Sequence, residues 1–321
     1  MTSTYSQAFS SPPSLWGLYP RILAARKPSQ LAAGTRVPRL EARLSRVRVE
    51  ADRLARYREL CGCQSVDALP IAYPHVLASA LHLAILASDR FPVTVLGLVH
   101  VANRIEQRGA LDPTGGGEIA CWLEGYEDTP QGQRFTMHTE WRIGGEVPWR
   151  ERSDFLARAP RSVRAKASAS EATAAAPTRG GDDVESASAR SGEDAGRVSD
   201  PVAGSPARTT SFRAPAGLGR RYGTVAGDLN PIHVADLAAR AFGFRAASAH
   251  GMWSMARCAA ELESLVPAGV PRVLEVQFRK PVFLPSWLAM RSSEDAAGAS
   301  FALLDSAGDR LHLSGSLRRA A

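Results

Sequence analysis

The sequence predicts an α+β protein made of two related units, in each of which a curved antiparallel sheet wraps one long apolar helix. Three observations carry this prediction. The chain has 321 residues, a length typical of two domains. A long stretch that is poor in apolar side chains divides it into two parts. In each part, an apolar helical run is followed by strand-like segments at matching distances.

The dividing stretch covers residues 159–208. It contains no aromatic residue, and four valines are its only sizeable apolar side chains. Such a segment buries too little apolar surface to offset its ordering entropy, which predicts a flexible linker. The predicted organisation is a disordered N-terminus over residues 1–20, a first unit over 21–158, this linker, and a second unit over 209–321.

The two apolar helices open in similar ways. His75 precedes an apolar run over residues 76–86, and His250 precedes a similar run over residues 252–262. Each run is long enough and apolar enough on all sides to form a buried helix. The two histidines are 175 residues apart, and the strand-like runs that follow the helices share this separation. These runs cover residues 99–104 and 274–279.

Further strands are predicted where apolar and polar residues alternate. They cover residues 118–125 and 133–143 in the first unit, and 287–291, 300–304 and 310–317 in the second. Because short turns join them, neighbouring strands are expected to run antiparallel. A strongly curved sheet of this kind buries the apolar helix on most of its sides.

The composition excludes several classes of protein. Hydrophobic residues make up 45% of the chain and charged residues 22%, which excludes wholesale disorder and a disulfide-rich scaffold. The first residues lack the basic and apolar regions of a secretory signal, and no run approaches the ~18 apolar residues of a membrane span. The four cysteines lack zinc-type spacing. We therefore expect a cytoplasmic protein without a membrane anchor or a bound metal.

The positive charge of the chain is concentrated in one place. The formal net charge is +7, but residues 21–58 hold eleven Arg or Lys against three acidic residues. The remainder of the chain is therefore close to neutral. This basic arm could contact phosphate groups, an acidic carrier protein, anionic lipid or nucleic acid.

The segment with the clearest chemical content runs from Gly227 to His233. Asn230 followed by Pro231 is typical of a helix start, which places His233 in the first turn and Asp228 in the loop before it. Gly227 leaves room for a ligand beside the acid. A converging Asp and His can hold water between a proton acceptor and a donor. From the residues alone, the segment could instead be an ordinary turn in which the histidine forms a hydrogen bond with a backbone carbonyl.

This segment, Gly-Asp-Leu-Asn-Pro-Ile-His, with Tyr222 before it, resembles the signature of the MaoC-like (R)-specific enoyl-CoA hydratases, the hydratase 2 family. The resemblance implies a double hot-dog fold, in which each curved sheet wraps a central helix. The first unit resembles the degenerate half of such proteins and lacks the signature. The 175-residue separation puts Arg53 at the position of Asp228 and Arg58 at that of His233.

The resemblance also implies catalytic roles. Asp228 and His233 would bind the reacting water and transfer its protons. Gly251, at the start of the second apolar helix, would offer its amide as an oxyanion hole, which agrees with the unpaired amides and partial positive charge of a helix N-terminus. The family mechanism implies no metal or organic cofactor.

Four further residues are candidates for binding the substrate. Asn230 lies within the signature, and His250 precedes Gly251; the plain alternative for His250 is to fix the entrance of the helix. Arg279 and Lys280 are candidates for CoA phosphates, with a solvated strand edge as the alternative. The usual Gly-Asp turn after this strand is replaced here by residues 283–287, which leaves the shape of the acyl pocket open.

The implied activity is that of a hydro-lyase in fatty-acid metabolism, which adds water reversibly to a trans-2-enoyl-CoA and yields the (3R)-3-hydroxyacyl-CoA. One alternative is a (3R)-hydroxyacyl-[acyl-carrier protein] dehydratase of fatty-acid or polyketide synthesis. Another is a non-catalytic acyl-CoA-binding protein, with nucleic-acid binding through the basic arm as a more distant one. We expect an acyl-CoA partner, with an acyl-carrier protein as alternative, and no nucleic-acid or membrane partner. The two units are expected to pair as a pseudo-dimer within one chain, with a homodimer left open.

Overall fold

The computed structural model describes residues 4–159, 202, 207–241 and 244–320. The predicted flexible linker over residues 159–208 lies outside the described residues except for four positions. Its flexibility, and the domain boundaries drawn from it, therefore stay predictions.

The first unit contains seven strands and three helices in its described residues. In chain order they are β1 (Thr4–Phe9), α1 (Leu15–Ala24), β2 (Arg39–Arg48), α2 (Ala51–Cys61), α3 (Tyr73–Leu86), β3 (Leu98–Gln107), β4 (Gly116–Leu123), β5 (Glu127–Thr129), β6 (Gly132–Ile143) and β7 (Glu146–Arg158).

The second unit contains five strands and four helices in its described residues. They are β8 (Arg208–Ala214), α4 (Leu218–Ala226), α5 (Pro231–Val234), α6 (Asp236–Ala241), α7 (Gly251–Glu261), β9 (Arg272–Phe278), β10 (Ser286–Asp295), β11 (Gly298–Asp305) and β12 (Leu311–Arg319). Each of the strands predicted from alternation overlaps one of the strands observed.

A single sheet runs through both units. Its strand order is β1-β2-β4-β6-β7-β3-β9-β12-β11-β10-β8, with β5 paired to β6. All pairs are antiparallel except β1 with β2. The two units join where β3 pairs with β9, with Ala102 opposite Gln277. The predicted α+β double hot-dog fold is confirmed.

The two central helices are α3 and α7, at the places that the apolar runs predicted. Eleven of the fourteen residues of α3 and seven of the eleven residues of α7 are buried. Helix α3 contacts β2, β4 and β6, whereas α7 contacts β9 and β12. An all-round apolar helix is stable here because sheet surrounds it on several sides. Within the described part of the chain, no helix is long and apolar enough to cross a membrane.

The prediction of disorder over residues 1–20 is wrong for residues 4–20, the part of that segment that the structure describes. Strand β1 pairs in parallel with β2, with Thr4 opposite Arg39. Helix α1 buries Leu18 and Ile22 in a small apolar cluster with alanines of α3. The polar and Pro-rich sequence conceals this order because an edge strand takes its hydrogen bonds from its neighbour and stays largely exposed.

The equivalence of Arg53 with Asp228 is also wrong. Helices α2 and α4 both end at a left-handed glycine, Gly62 with φ 69° and Gly227 with φ 73°. This pair is separated by 165 residues rather than 175, which places Cys63 at the position of Asp228. The separation changes because the second unit inserts α5 and α6 between this glycine and its central helix.

Candidate active site

The site is built on the tight turn that ends α4. Gly227 closes the helix in a left-handed conformation with φ 73°, and the amides of Gly227 and Asp228 both donate to Gly223 O, at 2.8 and 3.0 Å. A Cβ at Gly227 would lie 3.0 Å from Ser79 Oγ on α3. A glycine is therefore required here both for the left-handed C-cap of α4 and for the close approach of Ser79 from the first unit. We expected Gly227 to leave space for a ligand, and the structure shows this different role instead.

Asn230 and Pro231 start α5 as the sequence predicts. The Asn230 side-chain oxygen accepts a hydrogen bond from the Ile232 amide at 3.3 Å, and Pro231 occupies the first turn. The Asn230 amide donates to Asp228 Oδ1 at 3.2 Å. The side-chain oxygen of Asn230 thus holds the turn, and its contact with substrate stays a prediction.

His233 is held in a defined tautomer. Its Nδ1 lies 2.8 Å from Ser248 O. Because a carbonyl oxygen can only accept, Nδ1 carries the proton and Nε2 keeps a free lone pair. Burial, reinforced by the neighbouring His250, lowers the pKa of His233 to about 3 against the opposing effect of Asp228. The ring is therefore neutral near pH 7 and able to accept a proton at Nε2.

His250 is the residue immediately before α7. Its Nε2 donates to the backbone oxygen of Asp228 at 3.0 Å and lies 3.7 Å from Asp228 Oδ2. The ring centroids of His250 and His233 are 3.9 Å apart, and the two ring planes are tilted by 33°. Burial lowers the pKa of His250. The residue therefore links the entrance of α7 to the Asp228 loop, which matches the structural alternative considered for it.

Asp228 is the charged member of the site. Burial opposes its charge, but His250 and His233 together with the Asn230 amide outweigh that effect and hold the pKa of the carboxyl below its usual range. Its side chain nevertheless stays 42% exposed, so that water can reach it. An ionised carboxylate is thus available beside a neutral imidazole.

The structure brings three side chains to one place. One oxygen or nitrogen atom each from Asp228, His233 and His250 lies within 4.8 Å of the others. A water molecule held there would meet an acceptor on either side, as general acid–base chemistry requires. This group, and a second one formed by His75, His82 and Glu151, have donor sets that could also ligate a metal ion. The expectation of a metal-free site stays a prediction.

Gly251 is the first residue of α7, directly after His250. Amides in the first turn of a helix lack intrahelical acceptors and lie at the positive end of the helix dipole. A Cβ at this position would lie 3.0 Å from the ring of Phe278 on β9. Glycine therefore lets the start of the helix pack against the sheet, and the oxyanion role of its amide stays a prediction.

Arg279 and Lys280 are not brought to this cluster. Phe278 points from β9 toward α7, and Arg279, the next residue, lies on the opposite side of the sheet, where it lines an open groove. Both Arg279 and Lys280 are exposed. The Arg279 guanidinium donates to Gln277 Oε1 on the same strand. Their contact with CoA phosphates stays a prediction, and the structure favours the solvated-edge alternative.

Three side chains of the first unit make polar contacts with the end of α4 and with the loop around Asp228 that follows it, and the sequence did not reveal them. The hydroxyl of Tyr19 donates to Asp228 Oδ1 at 3.2 Å, Ser79 Oγ donates to Ala226 O at 2.6 Å, and Arg53 Nε donates to Val225 O at 2.7 Å. These contacts span 147 to 209 residues of chain. No local pattern encodes such distances, and Tyr19 lies in the segment predicted to be disordered.

Several arginines of the basic arm form ion pairs or hydrogen bonds within the protein. Arg39 and Arg43 both pair with Glu41. Arg53 binds the second unit through Val225 O, and Arg58 donates to the backbone oxygens of residues 66 and 68. These four guanidinium groups stabilise loops and strand neighbours, so the arm is not one free cationic surface.

Comparison with known proteins finds a family model that matches most of the second unit. A family model described as "MaoC like domain" matches residues 193–306. The chain is 25% identical over 270 residues to 3-hydroxyacyl-thioester dehydratase X of Mycobacterium tuberculosis, an alignment that covers 84% of this chain and 86% of that protein.

Solved structures show the same fold across both units. HtdX of Mycobacterium tuberculosis superposes with a TM-score of 0.68 at 22% identity, covering 87% of this chain and 100% of that one. Peroxisomal multifunctional enzyme type 2 from Drosophila melanogaster superposes with a TM-score of 0.60 at 15% identity, covering 88% of this chain and 48% of that one. The second hot-dog unit therefore matches the MaoC-like domain model, and the chain as a whole shares the fold of these solved structures.

Proposed function

We propose that this protein is a hydro-lyase that adds water reversibly to a trans-2-enoyl-CoA and yields the (3R)-3-hydroxyacyl-CoA. The observation that carries the proposal is the convergence of Asp228 and His233 beside the start of α7. The Mycobacterium tuberculosis relative, named a 3-hydroxyacyl-thioester dehydratase, supports this class of reaction, because dehydration of such a thioester is the reverse of this hydration.

The proposed hydration uses one water and no external reagent. His233 Nε2 takes a proton from the water while its oxygen bonds to C3 of the enoyl thioester. The electron pair of the C2–C3 double bond moves toward the thioester oxygen, where the Gly251 amide stabilises the negative charge. The pair of Asp228 and His233 then returns the proton to C2 on the same face. Asp228 orients the water and stabilises the imidazolium that forms.

The test follows the loss of absorbance of crotonyl-CoA at neutral pH. Asp228→Asn and His233→Ala should each lower kcat by roughly 10²–10⁴-fold, the range for loss of a general acid or base. Asp112→Asn is the matched control, because Asp112 is an exposed carboxylate that binds only its own turn at Thr114. Activity that survives in both site variants would refute the assignment.

A second candidate is the dehydration of a (3R)-3-hydroxyacyl group on an acyl-carrier protein. The name of the Mycobacterium tuberculosis relative supports a dehydratase of a 3-hydroxyacyl thioester, a class that includes carrier-protein thioesters as well as CoA thioesters. The measurement is kcat/KM for the same acyl group presented on CoA and on a carrier protein. A ratio above about ten in favour of the carrier would replace the CoA assignment and leave the reaction class unchanged.

A further inference from the structure

Helix α1 of the first unit lies directly over the Asp228 loop of the second unit. At its centre, the Tyr19 hydroxyl donates to Asp228 Oδ1 at 3.2 Å and accepts a hydrogen bond from the Leu229 amide at 2.6 Å. The hydroxyl therefore bridges the carboxylate and the backbone of the same loop. Because the amide hydrogen is directed at the phenol oxygen, the phenol proton is left for the carboxylate.

The position of this hydroxyl is fixed by the packing of α1. Leu18 and Ile22, one residue before and three residues after Tyr19, are buried against Ala84 and Ala87 at the end of α3. The preceding strand β1 is hydrogen-bonded to β2 along its whole length. A helix held on both sides places the phenol with little freedom, as preorganised sites require.

The two carboxylate oxygens of Asp228 have different hydrogen-bond partners. Oδ1 accepts from the Tyr19 hydroxyl and from the Asn230 amide, both at 3.2 Å. Oδ2 lies on the side of His250, 3.7 Å from its Nε2. With Oδ1 bound by two donors, Oδ2 is the oxygen that remains free to meet a substrate water.

The phenol is a permanent donor. Burial and the nearby charge of Asp228 raise the pKa of Tyr19 far above its usual value, so the hydroxyl stays protonated throughout the pH range in which an enzyme of this class works. A donor to the ionised carboxylate also helps to keep the pKa of Asp228 low.

We propose that Tyr19 is a positioning residue of the active site, which holds Oδ1 of Asp228 so that Oδ2 is presented to the reacting water. Residues 4–24 are then an integral part of the site, supplied by the unit that carries no catalytic signature. The kinetic part of this inference rests on the proposed function, since it takes Asp228 to act on the substrate.

The experiment is Tyr19→Phe in the full-length chain, which removes the hydroxyl and keeps the ring. We expect kcat to fall about ten- to hundredfold, as expected for a lost hydrogen bond to a charged group, with KM changed less than about twofold. The acid limb of the pH–rate profile should move to higher pH, because an anion that loses a donor is protonated more easily. Tyr126→Phe is the matched control, since the Tyr126 hydroxyl binds Ala32 O on the surface.

A second readout does not require turnover. In ¹³C-labelled protein, the NMR titration of the Asp228 carboxyl should move to higher pH in Tyr19→Phe and stay in place in Tyr126→Phe. Thermal unfolding of both variants, and of Trp16→Ala on the exposed side of the same helix, reports whether α1 remains docked.

The possible outcomes separate the two proposals. If Tyr19→Phe matches the wild-type chain in kcat and in the Asp228 titration, the role of Tyr19 is refuted. An equal loss of activity in Trp16→Ala would also refute it, because the effect would then belong to the helix rather than to the hydroxyl. If the wild-type chain hydrates no enoyl thioester while the titration still shifts, the proposed function fails and the positioning of Asp228 stands.

Discussion

The turns that follow α2 and α4 have the same backbone conformation but carry different side chains. Both helices end at a left-handed glycine, five residues after a tyrosine, and the rings of Tyr57 and Tyr222 lie 6.1 Å apart. The next residue is Asp228 in one unit and Cys63 in the other. Asp228 is an ionised, water-accessible carboxylate, whereas burial raises the pKa of the Cys63 thiol to about 12. The shared backbone therefore does not make a site; the polar groups placed on it do.

Side chains of the opposite unit pack against each of these two turns, and the two sets of side chains differ. Beside Gly227 lie the hydroxyl of Ser79 from α3 and the guanidinium of Arg53 from α2, whereas beside Gly62 lies the guanidinium of Arg257 from α7. In addition, Tyr19 reaches the Asp228 loop from α1. The unit without the signature thus acts as a structural part of the proposed site in the other unit.

Substituting the residue that follows each helix-ending glycine should give the largest difference in activity. Asp228→Cys gives the second unit the side chain of the first and should lower kcat with crotonyl-CoA by roughly 10²–10⁴-fold, since a neutral thiol cannot replace a carboxylate in proton transfer. Cys63→Ala should keep kcat within about twofold. Similar losses in both variants would show that the two turns contribute equally and would break the comparison.

Both units hold buried groups that should make folding sensitive to acid, since burial lowers the pKa of His233 to about 3 in the second unit as well. In the first unit, burial lowers the pKa of His82 to about 3, and pairing with His75 overcomes burial and lowers the pKa of Glu151 to about 2. Both folded-state pKa values lie below the unfolded ones, so the unfolded chain binds more protons as pH falls. The stability due to His82 is lost below about pH 6.5, and that due to Glu151 below about pH 4.5.

From pH 6.5 to pH 4, His82 alone should reduce the free energy of unfolding by on the order of 3 kcal/mol. The measurement is the urea midpoint as a function of pH. His82→Gln should remove part of this dependence and leave the part due to His233. His138→Gln, which changes a half-buried histidine stacked on Trp122, should have a smaller effect. A wild-type midpoint that does not change between pH 7 and pH 4 would contradict the buried neutral histidine.

Substitutions of the two helix-ending glycines should both lower stability, but only one of them should also lower activity. Gly62→Ala and Gly227→Ala each force a left-handed conformation on a residue with a Cβ, at a cost of about 1–2 kcal/mol. At Gly62 the new methyl meets the flexible end of Arg257, but at Gly227 it meets Ser79 Oγ, which is bound to Ala226 O. We expect both variants to melt at lower temperature and only Gly227→Ala to lose activity beyond about tenfold. Equal kcat values would show that the Ser79 contact has no effect on the site.

The smallest effect is expected at Arg279. Its side chain lies across the sheet from Phe278 and Gly251, so Arg279→Ala should change the KM for crotonyl-CoA by less than about twofold. Comparison with Lys280→Ala tests the neighbouring cation in the same assay. A fivefold or larger increase in KM would instead support the phosphate-binding role that the sequence suggested.

Local patterns in the sequence determined a large part of this protein. The apolar runs predicted α3 and α7, and Asn230-Pro231 predicted the start of α5, because helix periodicity and capping depend on residues only a few positions apart. The short spacing between Asp228 and His233 placed both at one corner for the same reason. The constant separation of helices and strands predicted the two related units.

Tertiary structure decided which of these residues work together. It docked residues 4–24 onto the sheet and α3, brought Tyr19 to Asp228 across 209 residues, and turned Arg279 to the far side of the sheet. It also shifted the equivalence of the two turns from Arg53 to Cys63, because α5 and α6 are inserted in one unit. Contacts of this kind depend on how whole elements pack, and no short stretch of sequence specifies that packing.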